Sequence, residues 1–452
     1  MTFANERGAL AAAYLVSTIM LLWVGIANGF PTVFSDTGTY LRIGTELYLP
    51  PDRPPTYGLA ILPFYTLFGL WSVAIAQSLF TVWVIDRTMR VVTGRHSPVT
   101  LAVTVAALAA LTSLPWLVPQ ILPDLFAGLV MLLGYVLIFG WAGLARWERW
   151  LLPLLLTLLI AFHLSFVPIL GGVTVAAALL GWRMTRSIRP LIGAAIIITA
   201  MAVVMLGVST INLLVQGQFK ASTSSSTFML TRFLDGRVAQ PTIAEACVTE
   251  KLLLCRLRTV LDPAQTEPGA AYMWSAHPEL TAAEAKQLPR EEAMIVSRTM
   301  RDHPGSVAQM AIAGFGRQLL LAEAGDGMIA YPPDTQVHQQ IVRHFPQQSA
   351  AWLASRQQRG TLPALLVTPD RAIGLIAGLL TIVVLALAVS RRDPRLAGLA
   401  LVTILTLILN ALFCSFLSGI FERFQARIMW MPLFTLAAAL ACWSQPRPAN
   451  DT

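Results

Sequence analysis

Apolar residues in this chain fall into long blocks rather than short amphipathic runs. A bilayer core takes about 20 apolar residues per helix. On that ruler the sequence predicts roughly ten spans, near 8–29, 58–86, 98–118, 121–144, 150–165, 167–182, 190–214, 371–390, 396–418 and 428–444. The second block is longer than one span needs, and Gly69 and Trp71 are expected to divide it into an outer-face helix and a true span. The blocks at 150–165 and 167–182 are short and meet around His163, Leu164, Ser165 and Phe166, so counts of eight or nine stay open. A polar stretch from about 216 to 370 interrupts the pattern, with balanced charges and scattered Trp, Leu and Phe. Within it, 284–302 is helix-like, and 306–322 carries apolar and small residues at helical spacing suited to a membrane interface. The expected fold is all-α: a polytopic transmembrane helix bundle with a mostly helical, water-facing insert. Its organisation is an N-terminal module over 1–215 with a first outer loop at 30–57, the insert over 216–370, and a C-terminal module over 371–452.

Composition agrees with lipid burial. The 452 residues are 56% hydrophobic and 12% charged, about half the charge of a soluble domain. The first block has only Arg7 as a basic flank and no clear small-residue cleavage site, so it reads as an uncleaved first helix. Every second loop carries arginines: Arg87, Arg90 and Arg95; Arg146 and Arg149; Arg183, Arg186 and Arg189; Arg391, Arg392 and Arg395; then Arg447. The opposite connections, 115–123 and 163–166, hold no Lys or Arg. By the positive-inside rule both termini are cytoplasmic, and the first loop and the insert lie outside, in the periplasm of a bacterial inner membrane. The net charge of +8 then has a topological origin. No basic groove with interleaved aromatics points to nucleic acid.

Several chemistries have no anchor. None of the six histidines forms HExxH or a Cys/His zinc spacing, and P-loop, GxSxG and dinucleotide signatures are missing. Cys414 and Cys442 lie in predicted spans as small apolar fillers. Cys247 and Cys255 lie close together in the insert, where an oxidising compartment favours a disulfide over two free thiols.

The outer-side polar residues are few. The first loop supplies Asp36, Tyr40, Asp52, Arg53 and Tyr57; the fourth block opens on Asp124; the fifth and sixth meet at His163; the insert begins near Lys220; the last outer loop supplies Glu422, Arg423 and Arg427. Carboxylates such as Asp36 and Asp124 can take a proton from an attacking hydroxyl or hold a divalent ion. Arginines grip phosphate through a planar fork and stay charged near lipid. A base beside an arginine-lined phosphate seat is what transfer from a lipid-phosphate donor requires. The competing readings are helix capping for Asp36 and Asp124, interfacial anchoring for Arg423 and Arg427, and a buried hydrogen-bonding role for His163.

Ser35-Asp36-Thr37-Gly38-Thr39-Tyr40-Leu41, followed by Arg53-Pro54-Pro55-Thr56-Tyr57-Gly58 and an apolar helix, resembles the first outer loop of GT-C glycosyltransferases. Leu122-Pro123-Asp124-Leu125 is similar to the Pro-acid opening of the fourth span in that group. Glu422-Arg423-Phe424-Gln425-Ala426-Arg427 with Pro432 is similar to its late Glu-Arg-aromatic segment. The likeness covers the layout of about the first 180 residues; the insert is placed differently from the usual C-terminal soluble domain. The resemblance implies a membrane enzyme that moves a sugar from a polyprenyl-phosphate carrier to a periplasmic glycan, lipid or protein acceptor. Asp36 would be its base, and Asp124 would orient the acceptor. Arg53, Arg423, Arg427 and Lys220 would hold donor phosphate, and Tyr40, Tyr57, His163 and Glu422 would line the cleft. No cofactor is implied; where the family often has a second acid, this chain has Ser35, which leaves a divalent cation near Asp36 an open question. The rival readings are a transporter or flippase for a lipid-linked precursor, which calls for internal repeats or broken helices at mid-membrane, and a non-catalytic envelope assembly protein.

Overall fold

The computed structural model describes residues 3–257, 264–275, 277–362 and 370–444. Among these residues every regular element is helical and no strand occurs. Five helices are long and apolar enough to cross a membrane: Phe166–Thr185, Arg189–Gln216, Arg371–Ser390, Pro394–Leu417 and Glu422–Trp443, the last a short helix continuing into a longer one. The second predicted block meets that standard only as a bent pair, which would make six, and the remaining blocks are helical among the described residues but fall short of it. Pro98–Leu111 and Phe126–Phe139 have 14 residues each, and Arg146–Ile160 has 15 with a charged first turn.

The long second block is two helices, Thr56–Phe68 and Leu70–Thr93, bent by 120°. The bend is at Gly69, with φ +73° and ψ −178°, a conformation that a Cβ would make costly. Gln348 secures it by accepting a hydrogen bond from Leu70 N at 3.1 Å.

The polar stretch is not one unit. Its first half builds a core of its own from residues such as Leu230, Phe233, Leu254, Tyr272 and Ile295. The helix Leu288–Asp302 contributes Leu288, Glu292, Ile295, Val296 and Thr299, spaced at three and four residues along one face. Cys247 and Cys255 form a disulfide there, with Cα atoms 5.6 Å apart. The following helix, Pro304–Leu320, packs along the membrane-type helix Pro394–Leu417.

The second half belongs instead to the bundle core, through Tyr331, Val337, Ile341, Phe345 and Trp352. It is tied to the first loop by paired hydrogen bonds. Val33 N donates to Gln357 Oε1 at 3.1 Å, Gln357 Nε2 donates to Val33 O at 2.7 Å, and Gln357 N donates to Asn28 Oδ1 at 2.8 Å. Thr39 and Thr45 donate to Gln336 and Gln340 at 2.9 and 3.1 Å. Gly38 permits this approach, since a Cβ there would lie 2.6 Å from Val337 N.

Candidate functional site

Three distant segments converge at one end of the bundle. The first-loop helix, Ser35–Glu46, starts after Phe34. Its Thr37 hydroxyl accepts from Phe34 N and donates to Ile121 O, both at 2.9 Å. One side chain thus starts the helix and pins it to the turn before Asp124. Asp36 makes no cap bond. Its Oδ1 lies 3.1 Å from Arg53 Nη1, and its Oδ2 accepts from Arg423 Nη1 at 3.2 Å. Burial alone would raise this carboxyl, but the two guanidinium groups outweigh it and hold the group below the ordinary carboxylate range.

Both arginines have further acidic partners. Arg53 donates through Nε and Nη2 to Asp52 Oδ2, at 2.8 and 2.7 Å. Arg423 Nη1 lies 3.9 Å from Asp124 Oδ2, and Arg423 N donates to Asp326 Oδ2 at 3.3 Å. The Arg423 guanidinium sits over the Phe34 and Phe424 rings, at 4.3 and 5.1 Å. Its Nε and Nη2 make no hydrogen bond among the described residues. Asp36, Arg53 and Arg423 each keep about a fifth of the side chain exposed: 20, 18 and 23%.

Behind this rim lies a closed layer. Arg427 is wholly buried and donates to Asp124 Oδ1 at 3.2 Å, Asn410 Oδ1 at 2.8 Å and Ser165 Oγ at 3.2 Å. Asn410 is fixed in turn, its Nδ2 donating to Phe424 O at 2.6 Å. Ser165 N donates to His163 Nδ1 at 3.2 Å, so that nitrogen is an acceptor, and the Ser165 hydroxyl also faces it at 2.8 Å. Asp124 Oδ2 has no hydrogen bond.

No family model, curated protein or solved structure matches this chain.

The site therefore rests on its own geometry, which revises several expected roles. Arg427 cannot seat a phosphate as expected, because no part of it is exposed and its donors are taken; it positions Asp124. Asp124 does not cap the fourth block, and being 4% exposed it does not present itself to an acceptor. Tyr57 is fully buried, with its hydroxyl donating to Gln77 at 2.7 Å, so it does not line an open cleft. Tyr40 packs edge-on against Tyr57 at 5.0 Å and lies below Arg53; burial pushes its phenol up, keeping it protonated. Both rings form the floor of the site. His163 is linked to the cluster through Ser165 and through the Phe166 ring, which also lies under Arg427. Lys220 is exposed after the helix Arg189–Gln216, and no contact joins it to the arginines. Glu422 opens the short helix that carries Arg423.

Asp326, Asn410 and Gln77 were not singled out from the sequence. Asp326 stands between Gly325 and Gly327, both at positive φ, and such a Gly-Asp-Gly run is a turn signal that can carry function. Asn410 and Gln77 are buried polar residues within apolar runs, a pattern that deserves a functional reading in a membrane helix. No group of three or more His, Cys, Asp or Glu among the described residues could hold a metal ion; the acids alternate with arginines instead.

Proposed function

We propose that this chain is a GT-C-like membrane glycosyltransferase that moves a sugar from a polyprenyl-phosphate carrier to an acceptor hydroxyl at the outer face of a bacterial inner membrane. The observation that carries the reading is Asp36 held between two part-exposed arginines, 3.1 Å from Arg53 and 3.2 Å from Arg423. The acceptor hydroxyl gives its proton to Asp36, and its oxygen attacks the anomeric carbon. The bond from that carbon to the phosphate oxygen breaks, and the phosphate leaves with the electron pair. Arg53 and Arg423 stabilise the departing charge. Asp124 and Arg427 hold Arg423 in place from behind.

The surroundings of the arginines support a lipid carrier. A small pocket beside Asp52 and Arg53 has Leu49, Pro51, Val208, Ile211 and Val215 on its apolar side and Asn212, Gln216 and Ser222 on its polar side. Its apolar walls belong to the first loop and to the helix Arg189–Gln216, one of the five membrane-type helices. A prenyl chain lying along the lipid face of that helix would bring its phosphate near Arg53. In this reading the ten helical blocks are spans, both termini are cytoplasmic, and the polar stretch is periplasmic, in line with the positive-inside reading of the arginine clusters.

The test is transfer of radiolabelled sugar from extracted lipid-linked donors to envelope acceptors. Asp36→Asn should lower transfer by about 10²-fold or more while the protein stays folded. Undiminished transfer by that variant would remove Asp36 as the base and the assignment with it.

A further inference from the structure

Resting on that reading, we propose that donor phosphate and the Asp36 carboxylate compete for the same guanidinium nitrogens, so that the base is released only when donor is bound and the donor must bind first. In the present arrangement Asp36 is latent. Each of its oxygens already faces an arginine Nη1, at 3.1 and 3.2 Å. A carboxylate held between two cations is a poor proton acceptor. The two nonbridging oxygens of a phosphodiester suit the same two nitrogens, since phosphate and carboxylate are alternative partners for a guanidinium.

The arginines are built to stay while the carboxylate is exchanged. Arg53 keeps its two hydrogen bonds to Asp52. Arg423 keeps its backbone bond to Asp326, its position 3.9 Å from Asp124 and the two rings around it. Asp36 alone depends wholly on the two nitrogens in question. Charge points the same way. The cluster sets four carboxylates, Asp36, Asp52, Asp124 and Asp326, against three guanidinium groups, Arg53, Arg423 and Arg427. A bound phosphodiester adds one more negative charge beside a carboxylate that has lost its cations and stays mostly buried. Both changes make Asp36 more basic. At neutral pH it becomes an ionised, competent base; in mild acid it takes up a proton.

The probe is a farnesyl methyl phosphodiester, which has no titrating group of its own near neutrality, so any proton taken up belongs to the protein. Binding to the full chain in nanodiscs at about pH 5, near but above the ordinary carboxylate range, should be saturable and accompanied by net uptake of up to about one proton. Uptake should vanish in Asp36→Asn with binding retained, and binding should weaken in Arg53→Gln and Arg423→Gln. In the wild type alone, the infrared difference spectrum should gain a protonated-carboxyl band on binding. Turnover should show the acid limb of kcat at higher pH than that of kcat/KM for the donor, since the two report the bound and the free enzyme. Binding without uptake or band, uptake that persists in Asp36→Asn, or no saturable binding would each overturn the exchange. Uptake as described with no transfer to any acceptor would leave the exchange standing and remove the glycosyltransferase reading.

Discussion

The bundle buries carboxylates at both ends, and the two ends treat them differently. At the end away from Asp36, Asp86 is 4% exposed and accepts from Tyr14 at 3.0 Å, with His96 Nδ1 at 3.4 Å. Glu148 meets Arg87 at 2.5 Å and also accepts from Ala145 N at 2.8 Å, closing the first turn of Arg146–Ile160. Each acid there has its own partners and shares none. At the Asp36 end the acids share arginines, one oxygen of Asp124 has no hydrogen bond, and Arg423 keeps donors in reserve. Closed pairs hold helices together. Arg87 Nε also lacks a hydrogen bond, so an unsatisfied atom does not separate the two ends; acids that share arginines can exchange partners, and that sharing is the physical difference between a structural ion pair and a site.

The comparison can be broken most sharply at Arg427, the closed member of the open cluster. Arg427→Leu leaves Asp124 charged and buried, and should cost ~3–5 kcal/mol of stability, read as a large fall in the thermal midpoint in detergent. A midpoint within a degree or two of wild type would mean that Asp124 does not depend on it. Next in size is Asp36→Asn, for which the proposed glycosyltransfer predicts a loss of about 10²-fold in transfer, ~2.7 kcal/mol of barrier. That variant gives up the Asp36 ion pairs and should unfold somewhat below wild type at neutral pH, by far less than Arg427→Leu. Tyr14→Phe, at the other end, removes a hydrogen bond to a charged group and should cost ~1.5 kcal/mol of stability with transfer unchanged. A transfer defect there would erase the distinction between the two ends.

The smallest expected effect is on pH dependence. The folded Asp36 carboxyl is held below its ordinary range, so its contribution to stability is complete above the unfolded value of about 3.9 and fades as pH falls toward the folded one. Wild type should therefore lose more stability than Asp36→Asn below about pH 4, and the two should run parallel above it.

Much of this was legible in the sequence where one residue type does one job. The apolar blocks announce helices because lipid-facing surface must be apolar. Gly69 marks a bend because only glycine takes its backbone angles. Asp36, Arg53 and Arg423 stand out because charge is rare beside such blocks. The span count was less legible, since Pro98–Leu111 and Arg146–Ile160 are helical without the length and apolarity of a full crossing. The split of the polar stretch was not legible either. Whether Val337 and Ile341 pack on the bundle or on the insert's own core depends on partners hundreds of positions away. Arg423 and Arg427 look alike as a pair four apart, yet one is 23% exposed and the other not at all. Periodicity states that two residues share a helical face; it does not state what packs over each.

The bonds between Val33 and Gln357 span 324 positions, and this bears on how the molecule is made. At about 5–20 residues per second of synthesis, the first loop waits tens of seconds for the segment that fixes it, and Asp36 waits longer still for Arg423. Through that interval Arg53 is the one of its two final partners already synthesised. The nascent protein can insert helix by helix while the cluster around Asp36 stays unassembled, and that cluster is completed only when Arg423 has been made.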